Sequence, residues 1–290
     1  MITTTLAGGL GNQMFMYAFT KSLALSKNTT YAFDIKSGFA NDIIFKRQLE
    51  LSSLNVRLPE NKLRTCSIGV RKLDSLLKQL SRRLRRNVLL PCYRFVVEDE
   101  DFHYQPEIYK IKGNNLYLEG YWQSPKYFEN YKDIIRSDFR ITIRIPQETL
   151  KELNYWRSFK RPLVFVGVRR YQECKPGDVK WGICGSVFYN KAMDTIRNHI
   201  ENPLFIIFSQ DILWCKENLY TDNVIYAESK DGPYSTISDL FLMKECDHAI
   251  ISNSSFYWWG AWLQEDSRHV VIATKYFMNK DFACDNWIVM

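Results

Sequence analysis

The stretch Ser252-Asn253-Ser254-Ser255-Phe256-Tyr257-Trp258-Trp259-Gly260-Ala261-Trp262 sets how the whole chain is read. Residues Asp239 to His248 precede it, followed by the short apolar run Ala249-Ile250-Ile251. That run has the composition of a buried parallel strand. Small polar residues come next, then a Trp-rich helix that includes a Gly. Ser and Asn at a strand-to-helix turn are natural N-caps. A helix N-terminus also offers unpaired N–H groups and the positive end of a dipole. With the hydroxyls of Ser254 and Ser255 added, the turn can hold a phosphate. The plainer reading is that the serines only cap the helix and the tryptophans only fill a core.

The 290 residues fit one large domain or two of ordinary size. An apolar content of 46% and an aromatic content of 15% support real cores. Seven cysteines, scattered and without a C-x-x-C, argue for a reducing compartment and against a disulfide framework or a zinc site. No basic region followed by a long apolar run opens the chain, so no signal peptide is expected. No apolar stretch is long enough to span a bilayer. The expectation is a soluble cytoplasmic protein. Of the net charge of +7, nearly all comes from residues 71–86, which hold seven basic residues and one acid.

Working outward from the Trp-rich stretch, strand and helix patterns alternate. Residues 2–7 predict a first strand, rich in β-branched residues. Gly8-Gly9-Leu10-Gly11-Asn12-Gln13 follows, then a helical pattern from Met14 to Leu25. Strand, Gly-rich turn and helix open a Rossmann-like unit. The turn lacks the full G-x-G-x-x-G spacing, so a tight turn without a ligand stays open. Tyr31 to Ile35 and Asn115 to Trp122 predict strands. The clearest helix is 70–86, with Val70, Leu73, Leu76, Leu77, Leu80 and Leu84 on one face and basic residues on the other. It reads as a surface helix docked on a core, or as an attachment to an anionic membrane surface. No nucleic-acid-binding module accompanies it. Glu98-Asp99-Glu100-Asp101 contains Asp-x-Asp but no neighbouring nucleotide-binding turn, so it is read as solvated loop charge.

Arg161-Pro162 marks the expected domain boundary, giving domains 1–160 and 161–290, because the strand 163–168 starts at once. That strand runs into Arg169-Arg170, at the end where open α/β sheets bind ligands. Side chains alternate along a strand, so one arginine faces the ligand and the other a structural partner. The guanidinium fork suits a phosphate. A pair of plain surface arginines is the other reading. Strands at 204–208 and 224–226, a turn at Ser209-Gln210-Asp211, helices at 188–199, 212–218 and 238–246, and a last strand at 270–273 complete the pattern.

Together these segments resemble the alpha-1,2-fucosyltransferases of glycosyltransferase family 11. The resemblance rests on Gly8-Gly9-Leu10-Gly11-Asn12-Gln13-Met14-Phe15, Val168-Arg169-Arg170, Phe208-Ser209-Gln210-Asp211 with Trp214-Cys215, and Asp239 through Leu263. It implies a GT-B-like α/β architecture, two Rossmann-like domains facing across a cleft, the C-terminal one holding GDP-β-L-fucose. By resemblance, Arg169 meets the β-phosphate, Asp239 the guanine and Ser255 the phosphates, in a donor-binding set of Gly11, Asn12, Arg169, Arg170, Asp211, Asp239, Asn253, Ser254 and Ser255. Asn12 is expected near the donor phosphates or the acceptor. A carboxylate can accept from guanine N1–H and the 2-amino group, which adenine cannot match. Arginine and backbone N–H groups can neutralise a leaving pyrophosphate, so no metal or other cofactor is expected.

The implied reaction is transfer of L-fucose to the 2-hydroxyl of a galactoside or lipid-linked glycan, with inversion, at the cytoplasmic face of a membrane. Glu173 and Asp178, after the arginine pair, are the candidate bases, and plain loop charge is the other reading of each. The family reads His-x-Arg-Arg-x-Asp where this chain has Gly167 and Gln172, and Phe-Ser-Asp-Asp where it has Gln210. These departures leave open another GDP-sugar, or a non-catalytic protein that binds GDP or glycan.

Overall fold

The computed structural model describes residues 1–40, 42, 46–60, 76–81, 83, 87–89, 93–99, 101–171, 182–220, 222–228, 232, 234–264 and 268–290. They form two compact units. One holds Met1–Arg140 and Asn279–Phe282, the other Ile141–Met278 and Ala283–Met290. The helix Gln147–Ser158 therefore belongs to the second unit, although a boundary at 160/161 puts it in the first.

The first unit is built on β1 (Ile2–Thr5), β2 (Tyr31–Asp34), β3 (Val88–Leu89), β4 (Arg94–Val97) and β5 (Leu116–Glu119). They lie in the order β2-β1-β5-β4-β3, parallel except for the pairing of β3 with β4. The helix Leu10–Ser26 connects β1 to β2 and is buried from Met14 through Thr20. Its aromatics fix it: Phe19 lies 4.9 Å from the Trp122 ring and 4.4 Å from Tyr127, and Tyr17 stacks on Phe33 at 5.5 Å.

Two sequence expectations change here. Glu98 is not solvated loop charge. It is buried, and its carboxylate accepts from the backbone N–H groups of Tyr121 (2.7 Å) and Trp122 (3.0 Å). The basic helix is present at 76–81 and 83, but the leucines described there, Leu76, Leu77 and Leu80, do not share a buried face. Leu77 packs against the Phe95, Val97 and Tyr117 cluster, while Leu76 and Leu80 are 63% and 48% exposed. The inner face is shared with Ser81 and with Lys78, whose ammonium lies 4.4 Å from the Tyr117 ring centre. A cation over an aromatic face competes well with a leucine there. Residues 70–75, 82 and 84–86 lie outside the described residues.

The second unit is an all-parallel sheet. Its strands are β6 (Leu163–Val168), β7 (Leu204–Ser209), β8 (Val224–Tyr226), β9 (His248–Ile251), β10 (Val271–Ala273) and β11 (Ile288–Val289). The order is β11-β10-β9-β6-β7-β8. The central strand β6 is buried along its whole length, as its unbroken apolar run requires. The helix Ser255–Trp262 is apolar all round and buried from Tyr257 onward. Trp258 and Trp262 stack at 6.1 Å, and Trp287 closes on Trp258 at 5.3 Å. Both units are thus parallel sheets with crossover helices, the α/β class the sequence predicts.

Candidate functional site

In the second sheet the crossovers run from β6 toward β7 and β8 on one side, and through β9 to β10 and β11 on the other. The direction reverses between β6 and β9, and such reversals open a crevice at the strands' C-terminal ends. Arg169 follows β6 and Ser252 follows β9, so the two motifs meet there. Ser252 ties them together. Its N–H and Oγ donate to the Gly167 carbonyl at 3.1 and 2.8 Å, and its Oγ accepts from the Arg169 N–H at 3.1 Å.

The arginines divide as strand alternation predicts. Arg170 turns to structural partners: Nη1 donates to the Cys184 carbonyl at 2.9 Å, and the guanidinium lies 4.0 Å from the Trp214 ring centre. Arg169 donates to Gln210 Oε1 and lies 4.5 Å above the Tyr171 ring. Tyr171 sits in left-handed backbone at φ +53°, and its hydroxyl donates to the Asn253 carbonyl at 2.6 Å. It braces Arg169 and the Ser-rich turn at once. Asn253 is itself buried and donates to the Gly182 carbonyl at 2.8 Å.

The tryptophans fill a core, as the plainer reading has it, and the turn departs from that reading at one serine. Ser254 is the N-cap residue of Ser255–Trp262, but its side chain makes no capping hydrogen bond. Ser254 and Ser255 are half-exposed, at a helix N-terminus that carries positive potential. Asp211 is used differently. Its Oδ1 accepts from the Trp214 N–H at 3.1 Å and caps the helix Ile212–Asn218. Asp239 lies half-exposed on the helix Ser235–Lys244. Burial raises the Tyr257 phenol pKa, the Arg169 charge opposes that shift and the Asp239 charge adds to it, so both charges act on one ring. That ring covers Gly167: a Cβ there would lie 2.3 Å from Tyr257 Cγ. Burial also pushes the Cys184 and Cys215 thiols up, which keeps both protonated and structural. Glu173, Asp178 and Gln172 lie outside the described residues.

In the first unit, Gly11 is buried in the first turn of Leu10–Ser26. The first helical amide, Leu10 N–H, donates to Glu50 Oε2 at 2.9 Å. Gln13 clamps the same loop, donating to the carbonyls of Gly8 and Gln48 at 2.8 Å each and accepting from Glu50 N–H at 3.0 Å. Asn12 Oδ1 accepts from Gln123 Nε2 at 2.9 Å. Sequence reasoning singled out neither Gln123 nor Tyr171. Tyr171 had one signal, its place directly after the arginine pair, whereas Gln123 meets Asn12 only through the order of the strands.

Arg169, the hydroxyls of the Ser-Ser turn and a helix N-terminus form a set that can bind an anion and stabilise growing negative charge. The sequence model for Glycosyl transferase family 11 matches residues 1–289. An alpha-1,2-colitosyltransferase of Escherichia coli is 28% identical over 94% of this chain and 91% of its own length. Galactoside alpha-(1,2)-fucosyltransferase 1 of Alouatta belzebul is 32% identical over 51% of this chain and 43% of its own length. Among solved structures, a mutant of Arabidopsis thaliana FUT1 in complex with GDP aligns over 93% of this chain and 69% of that one, with TM-score 0.49 and 11% identity. On the family match across nearly its whole length, the chain belongs to glycosyl transferase family 11, and it is a glycosyltransferase.

Proposed function

We propose that the chain transfers L-fucose from GDP-β-L-fucose to the 2-hydroxyl of a galactoside, with inversion at the anomeric carbon. The observation that supports this reading is the bond from the Arg169 backbone N–H to Ser252 Oγ, which ties the end of β6 to the start of the Ser-rich turn at the reversal between β6 and β9. As the glycosidic bond breaks, negative charge grows on the leaving GDP. Arg169 and the N-terminal N–H groups of Ser255–Trp262 stabilise that charge, and Ser255 adds a hydroxyl. Asp239 accepts from the guanine edge. Glu173 or Asp178 takes the acceptor proton. Arg170, Asp211 and Asn253 support the set from behind, as their protein partners indicate. Product analysis by NMR after incubation with GDP-fucose and lactose tests donor, linkage and stereochemistry together. An α-1,2-fucosylated product is expected; release of GDP without glycoside formation would overturn the reading.

A second donor has support of its own. A relative matching over 94% of this chain is named an alpha-1,2-colitosyltransferase, so the sugar transferred can be colitose in place of fucose. A panel of GDP-sugars at equal concentration separates the two, since the native donor will turn over fastest.

Under the same reading no metal takes part, and full turnover is expected in excess EDTA. Loss of turnover with EDTA and rescue by Mn²⁺ would reverse that. Membrane contact belongs here as well. Among the described residues no helix is long and apolar enough to cross a membrane. The exposed Leu76 and Leu80, in the most basic part of the sequence, fit peripheral contact with an anionic cytoplasmic face, where a lipid-linked acceptor would lie. Sedimentation with anionic liposomes, lost at high salt, is the expected result, and equal absence of binding in every condition would remove the membrane.

A further inference from the structure

In the first unit β1 and β5 are parallel neighbours, so the segments that follow them leave the same C-terminal edge of the sheet. Asn12 lies just past β1 and Gln123 just past β5, and their side chains bond at 2.9 Å. Gln123 is only 8% exposed. It is also aimed with unusual firmness. Trp122, next to it, holds left-handed backbone at φ +56°, a costly state for a bulky residue. Two things impose it. Glu98, at the end of the neighbouring β4, binds the N–H groups of Tyr121 and Trp122, and the Trp122 ring is locked against Phe19 and Tyr127. Gly120 makes room for that carboxylate, since a Cβ there would lie 2.5 Å from Glu98 Cβ. Strain held by several neighbours at a sheet's ligand-binding edge points to a site.

The chemistry of the site points away from phosphate. The leading helical amide is already taken by the Glu50 carboxylate. The Arg47 guanidinium flanks Gly9, but the same loop brings two carboxylates, Glu50 at the Leu10 N–H and Asp42, which accepts from the backbone N–H of Arg47 at 3.0 Å. An Asn–Gln pair is neutral and presents both donors and acceptors, which matches adjacent hydroxyls of a neutral sugar ring.

We propose that the Asn12–Gln123 pair is the saccharide-acceptor subsite of this glycosyltransferase, and that Gln123 sets which hydroxyl pattern is accepted. This rests on the transfer reading above. Gln123→Met keeps the shape and removes the hydrogen bonds. It should raise the acceptor KM about tenfold, the scale of one or two lost neutral hydrogen bonds, with GDP affinity unchanged by calorimetry. Asn12→Asp keeps the acceptor atom facing Gln123 and adds a negative charge. GDP affinity should again hold, whereas a phosphate at this turn would be repelled. Weakened GDP binding in either variant, or an unchanged acceptor KM in Gln123→Met, overturns the subsite. Saturation-transfer NMR with methyl β-galactoside and lactose, in the presence of GDP, reads binding without turnover. Signals in the unaltered chain that are lost in Gln123→Met support the subsite even if GDP-fucose proves not to be the donor; no signal in the unaltered chain overturns it. Should Gln123→Met fail to fold, the Asn12→Asp protein carries the same comparison.

Discussion

Gly167 has no space for a side chain, because the Tyr257 ring lies where its Cβ would be. Where the resemblance expects a histidine, the ring of Tyr257 fills the volume beside Gly167, and its hydroxyl donates to the Phe208 carbonyl at 3.1 Å. Gly167→Ala is expected to destabilise the protein by about 1–3 kcal/mol or more through overpacking. The loss should shrink in a Tyr257→Ala background, and a double-mutant cycle from denaturation midpoints measures the coupling. Arg169→Lys should leave the melting temperature unchanged and remove about 2–4 kcal/mol of transition-state stabilisation, since Lys loses the bidentate fork. A fall in kcat/KM of less than about tenfold would place the phosphate elsewhere. Asp239→Asn puts a donor against guanine's own donors and should weaken GDP by about 1–3 kcal/mol with little change for ADP. Calorimetry of both nucleotides decides, and a retained preference for GDP would make Asp239 structural. Much of this site was legible in the sequence, because Arg169-Arg170 and Ser252–Ser255 are contiguous motifs with their own chemistry. Asp211 was legible as a turn residue, but its cap on Trp214 N–H depends on where the next helix begins. Tyr257 and Gln123 act through partners far away in sequence, Gly167 and Asn12, which no local pattern reveals.

At the scale of elements, apolar run length and strand-to-helix punctuation sufficed for the central strands and the Trp-rich helix. The short strand β4 was not legible. It is four residues long and leads straight into an acidic run whose first member, Glu98, is buried by the amides it binds. Among the described residues of 70–86 the leucine pattern misled for a different reason: periodicity shows that a face exists, not which face docks, and at 76–81 Lys78 over aromatic rings took that place. In the Trp-rich helix, Gly260 brings the helix close to Ser235–Lys244, because a Cβ there would meet Met243 Cβ at 3.0 Å. Alanine in a helix interior normally gains about 1 kcal/mol over glycine. Here the buried contact should outweigh it, so Gly260→Ala is expected to lower the melting temperature. A rise would show that the two helices can part without loss.

Across the whole molecule, the chain passes from the first unit to the second after Arg140, returns for Asn279–Phe282, and leaves again. The returning segment is anchored through Asp281. Its carboxylate meets Lys126 Nζ at 2.6 Å, the Tyr104 N–H at 2.9 Å and His103 Nδ1 at 3.3 Å, and its carbonyl accepts from Ser124 Oγ. Burial works to raise the Asp281 pKa, but the bonds from Lys126, Tyr104 and His103 outweigh it and hold the carboxyl below its ordinary value. The folded pKa is thus below the unfolded one. The stabilisation is fully present above the ordinary carboxylate pKa of about 3.9, and is lost as pH falls through the folded value. Urea unfolding from about pH 6 down to about pH 3 should show a loss of stability that is reduced in Asp281→Asn. Equal slopes in the two proteins would mean the anchor contributes nothing. Two units were legible from the renewed strand at Leu163, but the return of 279–282 was not, since nothing in Asn279-Lys280-Asp281-Phe282 marks it as part of the first sheet's unit.

The returning segment also bears on synthesis. A chain is made from its N-terminus, and domains commonly fold one at a time as they emerge from the ribosome. Here Asp281, which binds Tyr104, Lys126 and His103, emerges only after nearly all of the second unit has been made. The N-terminal unit cannot be completed early. Its final closure waits until residues 279–282 have emerged, so while the second unit is being made the nascent chain carries a first unit that still lacks its anchor.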